Sequence, residues 1–314
     1  MGAVGHPDGL AATGLSGIGD GMRILTLTSP DMVPGADSTR EDIWELEAHL
    51  AELEPEAKRR GYSLDLRVWS DPTLCADEYD AVVVGTPWDY AHHVDHFLRV
   101  IDRLASQTLV FNSPAVIRWN SDKTYLQQLG NAGVPTIPTL WLKDIGKPDI
   151  RLAHAHFGAA GVVIKRVVGA GAKGQVMWTG EGPIPAPSTG RVMVQPFLPA
   201  AQTEGELSLI YFDGAFSHAA QKRPKAGDYR VQSIYGGTDT VYSPDTDALA
   251  VANQALDAVK WDLLYARVDL MRHEGRLCLM ELEVIEPYLY AVQGPGMGAH
   301  FFDALERLVR RSCA

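Results

Sequence analysis

The chain has 314 residues, 46% hydrophobic and 21% charged, an ordinary globular composition at a length that suits about two domains. Its 28 basic and 39 acidic residues give a formal charge of −11, which argues against a general nucleic-acid binder but leaves room for a local cationic pocket. No stretch approaches the roughly 18 apolar residues of a membrane span, and Cys75, Cys278 and Cys313 are too few and too scattered for a disulfide framework, so a reducing cytoplasm is the expected setting.

Residues 1–21 are rich in Gly and Ala, lack Lys and Arg, and read as a flexible leader, with Met22 as an alternative start. Met22–Thr28 reads as a strand. Ser38 or Thr39 is expected to cap a long helix towards Arg60, with Gly61 at its stop. Tyr62–Trp69 alternates as a second strand. Ala81–Val84 is a short apolar run of the kind buried in parallel sheets. A helix to Leu104 and a strand at Thr108–Phe111 follow. Strands alternating with helices predict α/β architecture with a parallel sheet, where ligands sit at the carboxyl ends of strands. Ser29–Asp31, Thr86–Tyr90 and Asn112–Pro114 all lie at such ends.

The remainder reads as α+β with antiparallel pairing. Ser121–Lys123 opens a helix ending near Gly133, and prolines keep Val134–Pro138 extended. Strands are expected at Val162–Val167, Gln175–Trp178, Arg191–Phe197, Glu206–Phe212, Ala215–Gln221 and Tyr229–Ile234. Asp245 caps a helix to about Leu263. Arg267–Arg272 and Leu277–Ile285 form a hairpin, and Ala299–Arg311 a terminal helix.

Gly169-Ala-Gly171-Ala-Lys173-Gly174 matches GxGxxG, yet a strand follows it and no acidic residue stands about 20 positions on, so the dinucleotide fingerprint fails. Lys173 is followed by Gly174, which excludes a Walker A loop. Two readings stay open: a hairpin whose bare backbone closes on phosphates, with Lys165 at its base, or a plain β-turn.

Asp269, Glu281 and Glu283 carry the strongest chemical signal. Glu281 and Glu283 share one strand face, as do Arg267 and Asp269. A three-residue turn (Glu274, Gly275, Arg276) puts Asp269 opposite Glu281, whereas a two-residue turn puts them on opposite faces. Crowded carboxylates call for a cation, and hard oxygen ligands suit Mg²⁺ bridging to phosphates. The alternative is a solvated strand face. Asp228, Arg230 and Gln232 are placed on one strand face. Arg230 and Lys222 either hold an anionic substrate group or form a surface ladder. Trp88, Asp89 and Tyr90 end a parallel strand, where Asp89 suits a substrate ammonium and Trp88 a pocket wall. Glu286 and Tyr288 flank Pro287 within reach of substrate. His92, His93 and His96 lack the Glu of a zinc helix and read as solvated.

Taken in order, Asn120–Lys123, Val163-Ile-Lys165 before the glycine loop, Val194–Leu198, Gly205-Glu206, Arg267–Asp269 and Glu281–Glu283 resemble the ATP-grasp ligases over nearly the whole chain from Met22. The resemblance implies an N-terminal α/β domain (22–115), a central small domain (116–200) and a C-terminal domain (201–314), with ATP between the last two. It implies that Lys123 and Lys165 touch ATP phosphates beneath Gly169, Gly171, Lys173 and Gly174. Gln195 and Phe197 would hold adenine, partly through backbone, and Glu206 the ribose. Asp269, Glu281 and Glu283 would bind Mg²⁺, or Mn²⁺ in its place, and Arg267 would steady the transferring phosphoryl group. Glu283 stands where the family commonly has Asn, and Gln195 where it often has Glu.

Phe216–Ala219, Lys222–Lys225, Gly227–Gln232 and Glu281–Pro287 are similar to a glutathione-synthetase-like subgroup from antibiotic pathways. The implied chemistry is attack of a small amino acid's carboxylate on ATP, then displacement of phosphate by nitrogen, within one substrate or between two. The family also implies a homodimer. Two other readings compete: a nucleotide-binding module without catalysis, against which Arg267 beside three carboxylates speaks, and a nicotinamide oxidoreductase, against which the strand after the glycine loop speaks.

Overall fold

The computed structural model describes residues 21–36, 40–169, 171, 174–183, 185 and 188–313. The first sheet holds β1 (Arg23–Thr28), β2 (Ser63–Val68), β3 (Ala81–Thr86) and β4 (Leu109–Phe111) in the order β2-β1-β3-β4, all parallel. Helices α1 (Ile43–Arg59) and α2 (Val94–Ala105) connect these strands. The parallel sheet follows from the apolar runs: Leu25, Leu27, Val82 and Val84 pack against Phe97, Ile101 and Leu104 of α2 in one core cluster. The expected cap at Ser38 or Thr39 lies outside the described residues. The regular helix begins at Ile43, and Gly61 follows its end at φ +75°, a conformation that suits glycine.

The helix expected after Ser121–Lys123 is present but begins later, at Tyr125. Asp122 accepts from the backbone N and hydroxyl of Thr124 at 3.0 and 2.6 Å, so the chain turns between α3 (Pro114–Asn120) and α4 (Tyr125–Asn131). The second sheet, β5 (Leu140–Ile145), β6 (Val162–Arg166), β7 (Val176–Trp178) and β8 (Ser188–Pro196), is antiparallel in the order β5-β8-β6-β7. Helix α5 (Lys147–Phe157) packs on it through Ile150 and Ala153. Neither β5 nor α5 is foreseen in the sequence, where prolines and mixed polarity hide their periodicity. The strand–glycine loop–strand hairpin is present as β6 and β7.

After α6 (Ala200–Thr203) comes an antiparallel sheet of β9 (Glu206–Phe212), β10 (Ala215–Arg223), β11 (Thr238–Val241), β12 (Tyr265–His273) and β13 (Arg276–Glu283), ordered β11-β10-β9-β12-β13. Helices α7 (Thr246–Asp257) and α8 (Met297–Ser312) complete the chain. Asp245 caps α7 through a 2.8 Å bond from the Ala248 amide, but the helix ends at Asp257, short of Leu263. Tyr229–Ile234 is not a strand. Asp228 accepts from the amides of Tyr229 and Arg230 at 2.7 and 3.0 Å, which bends the backbone into a loop with a short 3₁₀ turn at Ser233–Tyr235. Asp228, Arg230 and Gln232 therefore do not share a strand face.

The β12–β13 turn has two residues, Glu274 and Gly275, both at positive φ. By regular pairing that turn would put Glu281 on the face opposite Asp269. A bulge after Asp269 absorbs Met280, so Asp269 still faces Glu281 and Arg267 faces Glu283. Asn112 joins the first sheet to this one: its amide donates to the carbonyls of Tyr265 and Val284 at 3.0 and 2.7 Å and accepts from Leu264 at 2.6 Å. Among the described residues no helix is long and apolar enough to cross a membrane.

Candidate active site

One cavity of about 260 Å³ is lined by the two antiparallel sheets, by the segment that follows β3 and by α1 with the loop before it. Its first wall is the face of β6 and β8 opposite their core. Val162, Ile164, Val192 and Val194 point into the core around α5, so alternation sends Val163, Lys165, Gln195 and Phe197 to the cavity. Lys165 Nζ approaches only the Met280 sulfur, at 3.4 Å, and no carboxylate lies within 4.0 Å of it among the described residues. Burial lowers its pKa despite Glu281 and Glu206 nearby. Gly169 and Gly171 line the same wall. Gly174 does not: it lies beyond the cavity at φ +74°, close to the Arg166 guanidinium. Lys173 lies outside the described residues. Phe197 lines the cavity, but its amide donates to Gly161 O at 2.7 Å and has no hydrogen left for a base.

The facing wall is β9, β10, β12 and β13, and its charges are paired. Arg267 donates to both oxygens of Asp269 (3.0–3.2 Å) and binds Glu283. Asp269 also accepts from Ser208 Oγ at 2.5 Å and meets Lys222 Nζ at 3.2 Å. Lys222 binds Glu206, and Lys123 binds Glu281. Lys123 is held at this point by its own amide, which donates to Val167 O at 2.9 Å. Burial works against the charge on Lys222, yet Asp269 and Glu206 outweigh it and raise its pKa. Burial likewise opposes the Asp269 anion, and Arg267 with Lys222 overcomes this to hold it well below the usual carboxylate range. Glu283 is raised to about 7, by burial first and then by Glu281 and Asp269, which Arg267 only partly offsets. Glu286 is raised to about 8, by burial and by Glu283.

These values test the fit of a metal. Glu283 and Glu286 are pushed up partly by neighbouring carboxylates, a repulsion that a cation would relieve, and the donors are hard oxygens, which suits Mg²⁺. Asp269, Glu281 and Glu283 share one face but are drawn onto Arg267, Lys222 and Lys123. Among the described residues no three His, Cys, Asp or Glu side chains converge as a ready ligand set.

The third wall comes from the first sheet and α1. Trp88 and Tyr90 line it, and Trp88 Nε1 donates to Glu286 O at 2.9 Å. Asp89 turns away. Its carboxylate accepts from Trp69 Nε1 at 2.6 Å inside the first sheet's own packing, which corrects the expectation that it faces an ammonium group. Arg230 lies at the mouth, paired with Asp228 at 2.7 Å and stacked 3.7 Å from the Tyr235 ring. The sequence reading missed Arg40, Asp42, Glu45 and Asp239, which also line the cavity. Glu45 accepts from Ser233 Oγ at 2.5 Å, and burial raises its pKa to about 7. Only tertiary packing brings these four in, and no local motif marks them.

A parallel sheet followed by two antiparallel sheets, with lysines and carboxylates gathered between the latter two, is the fold of the ATP-grasp ligases, which this chain shares, and the chain is an ATP-dependent C–N ligase. Residues 24–112 match the family described as the N-terminal domain of D-cycloserine synthetase DcsG. The chain is 29% identical over 272 residues to the cycloserine biosynthesis protein DcsG of Streptomyces lavendulae, covering 79% of this chain and 90% of that one. It is 26% identical over 246 residues to the glutathione synthetase of Ralstonia nicotianae, covering 73% and 72%. The crystal structure of D-cycloserine synthetase DcsG superposes with a TM-score of 0.74 at 23% identity, over 91% of this chain and 99% of that one.

Proposed function

We propose that the chain uses ATP to activate the carboxylate of a small amino acid as an acyl phosphate and then closes that substrate on its own nitrogen, converting O-ureido-D-serine to D-cycloserine. One observation carries the activation step: cations and carboxylates from the two antiparallel sheets and the loop that holds Lys123 meet in one cavity, with Lys165 free of any ion pair among the described residues. Similarity to DcsG over 90% of that protein's length supports ring closure.

In this reading a carboxylate oxygen of the substrate attacks the γ-phosphorus, and the bond from that phosphorus to ADP breaks. The ureido nitrogen that carries the substrate oxygen then attacks the acyl carbon, phosphate leaves, and the nitrogen gives up a proton; water cleaves the carbamoyl group from that nitrogen, releasing it as carbon dioxide and ammonia, to leave D-cycloserine. Lys165 and Lys123 meet the incoming phosphates. Arg267 faces the charge that develops on the transferring group, and electrostatics of this kind supply most of the catalysis. Lys222 and Arg230 hold the anionic end of the acyl phosphate. Glu206, released from Lys222, takes the ribose hydroxyls. Trp88, Tyr90 and Glu286 bound the substrate end. Asp269, Glu281 and Glu283 would hold Mg²⁺, or Mn²⁺ in its place, which when bound neutralises phosphate charge.

The test is ADP release and product mass with Mg²⁺-ATP and O-ureido-D-serine alone. A cyclic product supports the proposal. Turnover only after a second amino acid is added replaces ring closure with the intermolecular reading, which similarity to glutathione synthetase favours. No ADP under either condition overturns both.

A further inference from the structure

The corner of the cavity at the start of α1 holds side chains that the steps above leave unused. Arg40 spends Nε and Nη2 on the two oxygens of Asp42, at 2.7 and 2.6 Å, and its guanidinium carbon lies 5.2 Å from the centre of the Trp88 ring. Trp88 is itself fixed by the 2.9 Å bond from its Nε1 to Glu286 O. The Asp42 hydrogen bonds, and behind them the charges of Asp31 and Glu45, raise the Arg40 pKa against the pull of burial, so the guanidinium keeps its charge. Nη1 is left over. It lies 4.0 Å from Asp31 and makes no hydrogen bond among the described residues.

Acceptors without donors stand nearby. Glu45 is 7% exposed; its Oε1 takes the Ser233 hydroxyl at 2.5 Å, and Oε2 takes nothing from the described residues. Gln232, the neighbour of Ser233, lines the same cavity, and its buried Oε1 has no donor among the described residues. An ammonium group brings only donors, so it would leave Nη1 unmatched beside a like charge. A carboxylate brings only acceptors and would face Glu45. A carbamoyl group brings a carbonyl oxygen and an –NH₂ in one plane, and it is uncharged, so it adds no charge to a corner where Arg40 is already balanced by Asp42.

We infer that Arg40 and Glu45 form a subsite for the substrate's terminal carbamoyl group: Arg40 Nη1 donates to its carbonyl oxygen, and Glu45 Oε2 accepts from its –NH₂. This rests on the ring-closing reading of the cavity. Hydrogen bonds to charged partners of this kind are worth about ten- to hundred-fold in affinity.

The experiment is calorimetric titration of the full chain with O-ureido-D-serine and with O-amino-D-serine, in the presence of Mg²⁺ and ADP so that no phosphoryl transfer occurs. O-amino-D-serine keeps the amino-acid end and the bridging oxygen and nitrogen but ends in –O–NH₂, uncharged at neutral pH, so the two ligands differ by the carbamoyl group alone. The wild-type chain is expected to bind O-ureido-D-serine about ten- to hundred-fold more tightly. Arg40→Leu should bring the ratio towards one, weakening O-ureido-D-serine while O-amino-D-serine stays near its wild-type affinity. Glu45→Leu should act in the same direction from the other side of the group. Should Arg40→Leu not fold with Asp42 left unpaired, Arg40→Lys keeps a cation for Asp42 but lacks the second edge of the guanidinium, and it too should lower the ratio. Variants that weaken both ligands alike, with the ratio intact, would place these residues at the shared amino-acid end or in the scaffold, and that result overturns the inference. Equal binding of the two ligands by the wild-type chain defeats this inference alone. Binding of neither defeats the ring-closing reading as well.

Discussion

The two walls that face each other across the cavity handle charge in opposite ways. On β6 and β8, among the described residues, Lys165 meets only a thioether and Gln195 keeps a buried acceptor without a partner. On β9, β10, β12 and β13, Arg267 and Lys222 lie against Asp269, Glu283 and Glu206. The first wall bears desolvated groups whose cost a ligand would relieve, so its residues serve binding more than folding. The second wall neutralises itself, so each of its charges also supports the fold, and an incoming phosphate or metal has to displace an internal pair. Function and stability should therefore separate on the first wall and move together on the second.

Arg267→Met should have the largest effect. It leaves Asp269 and Glu283 without their guanidinium in a buried setting, which costs about 3–5 kcal/mol, and it removes the cation that we propose faces the transferring phosphoryl group. Thermal unfolding and ADP release should both fall, with Tm lower by roughly 10 °C. A stable, active variant would erase the contrast between the walls. Glu281→Gln should come next. It takes a buried carboxylate from Lys123, so steady-state assays should show about a 100-fold loss of turnover and thermal unfolding a lower Tm, by less than for Arg267→Met. Lys165→Met should be the mildest for folding. Nucleotide affinity should fall about 10- to 100-fold in titration calorimetry, the scale of a lost charge-assisted contact, while Tm stays level or rises because a desolvated, unpaired ammonium has gone. A clear loss of Tm in that variant would mean that Lys165 supports the fold after all.

Much of this arrangement is legible in the sequence, though unevenly. The run Ala81–Val84 announces a buried parallel strand because its period needs no knowledge of partners. The face shared by Glu281 and Glu283 follows from strand alternation alone. The position of Asp269 opposite Glu281 does not. It depends on a two-residue turn corrected by a bulge at Met280, and nothing local in Leu279–Glu281 signals that extra residue. Tyr229–Ile234 has the residues of a strand, but the Asp228 carboxylate captures the two following amides and wins the backbone for a loop. Asp89 sits at the right end of the right strand, yet Trp69, 1% exposed, claims it from the opposite side. Arg40, Asp42, Glu45 and Asp239 reach the cavity from helix, loop and edge strand, and only the assembled fold makes them neighbours.

The central claim is that a substrate carboxylate takes the γ-phosphoryl group of ATP. It is tested most directly by turning over substrate labelled with ¹⁸O in its carboxylate and analysing the released phosphate by mass spectrometry. The account predicts one labelled oxygen per phosphate, carried over when the acyl phosphate is displaced by nitrogen. Phosphate free of label, formed alongside product, would contradict it.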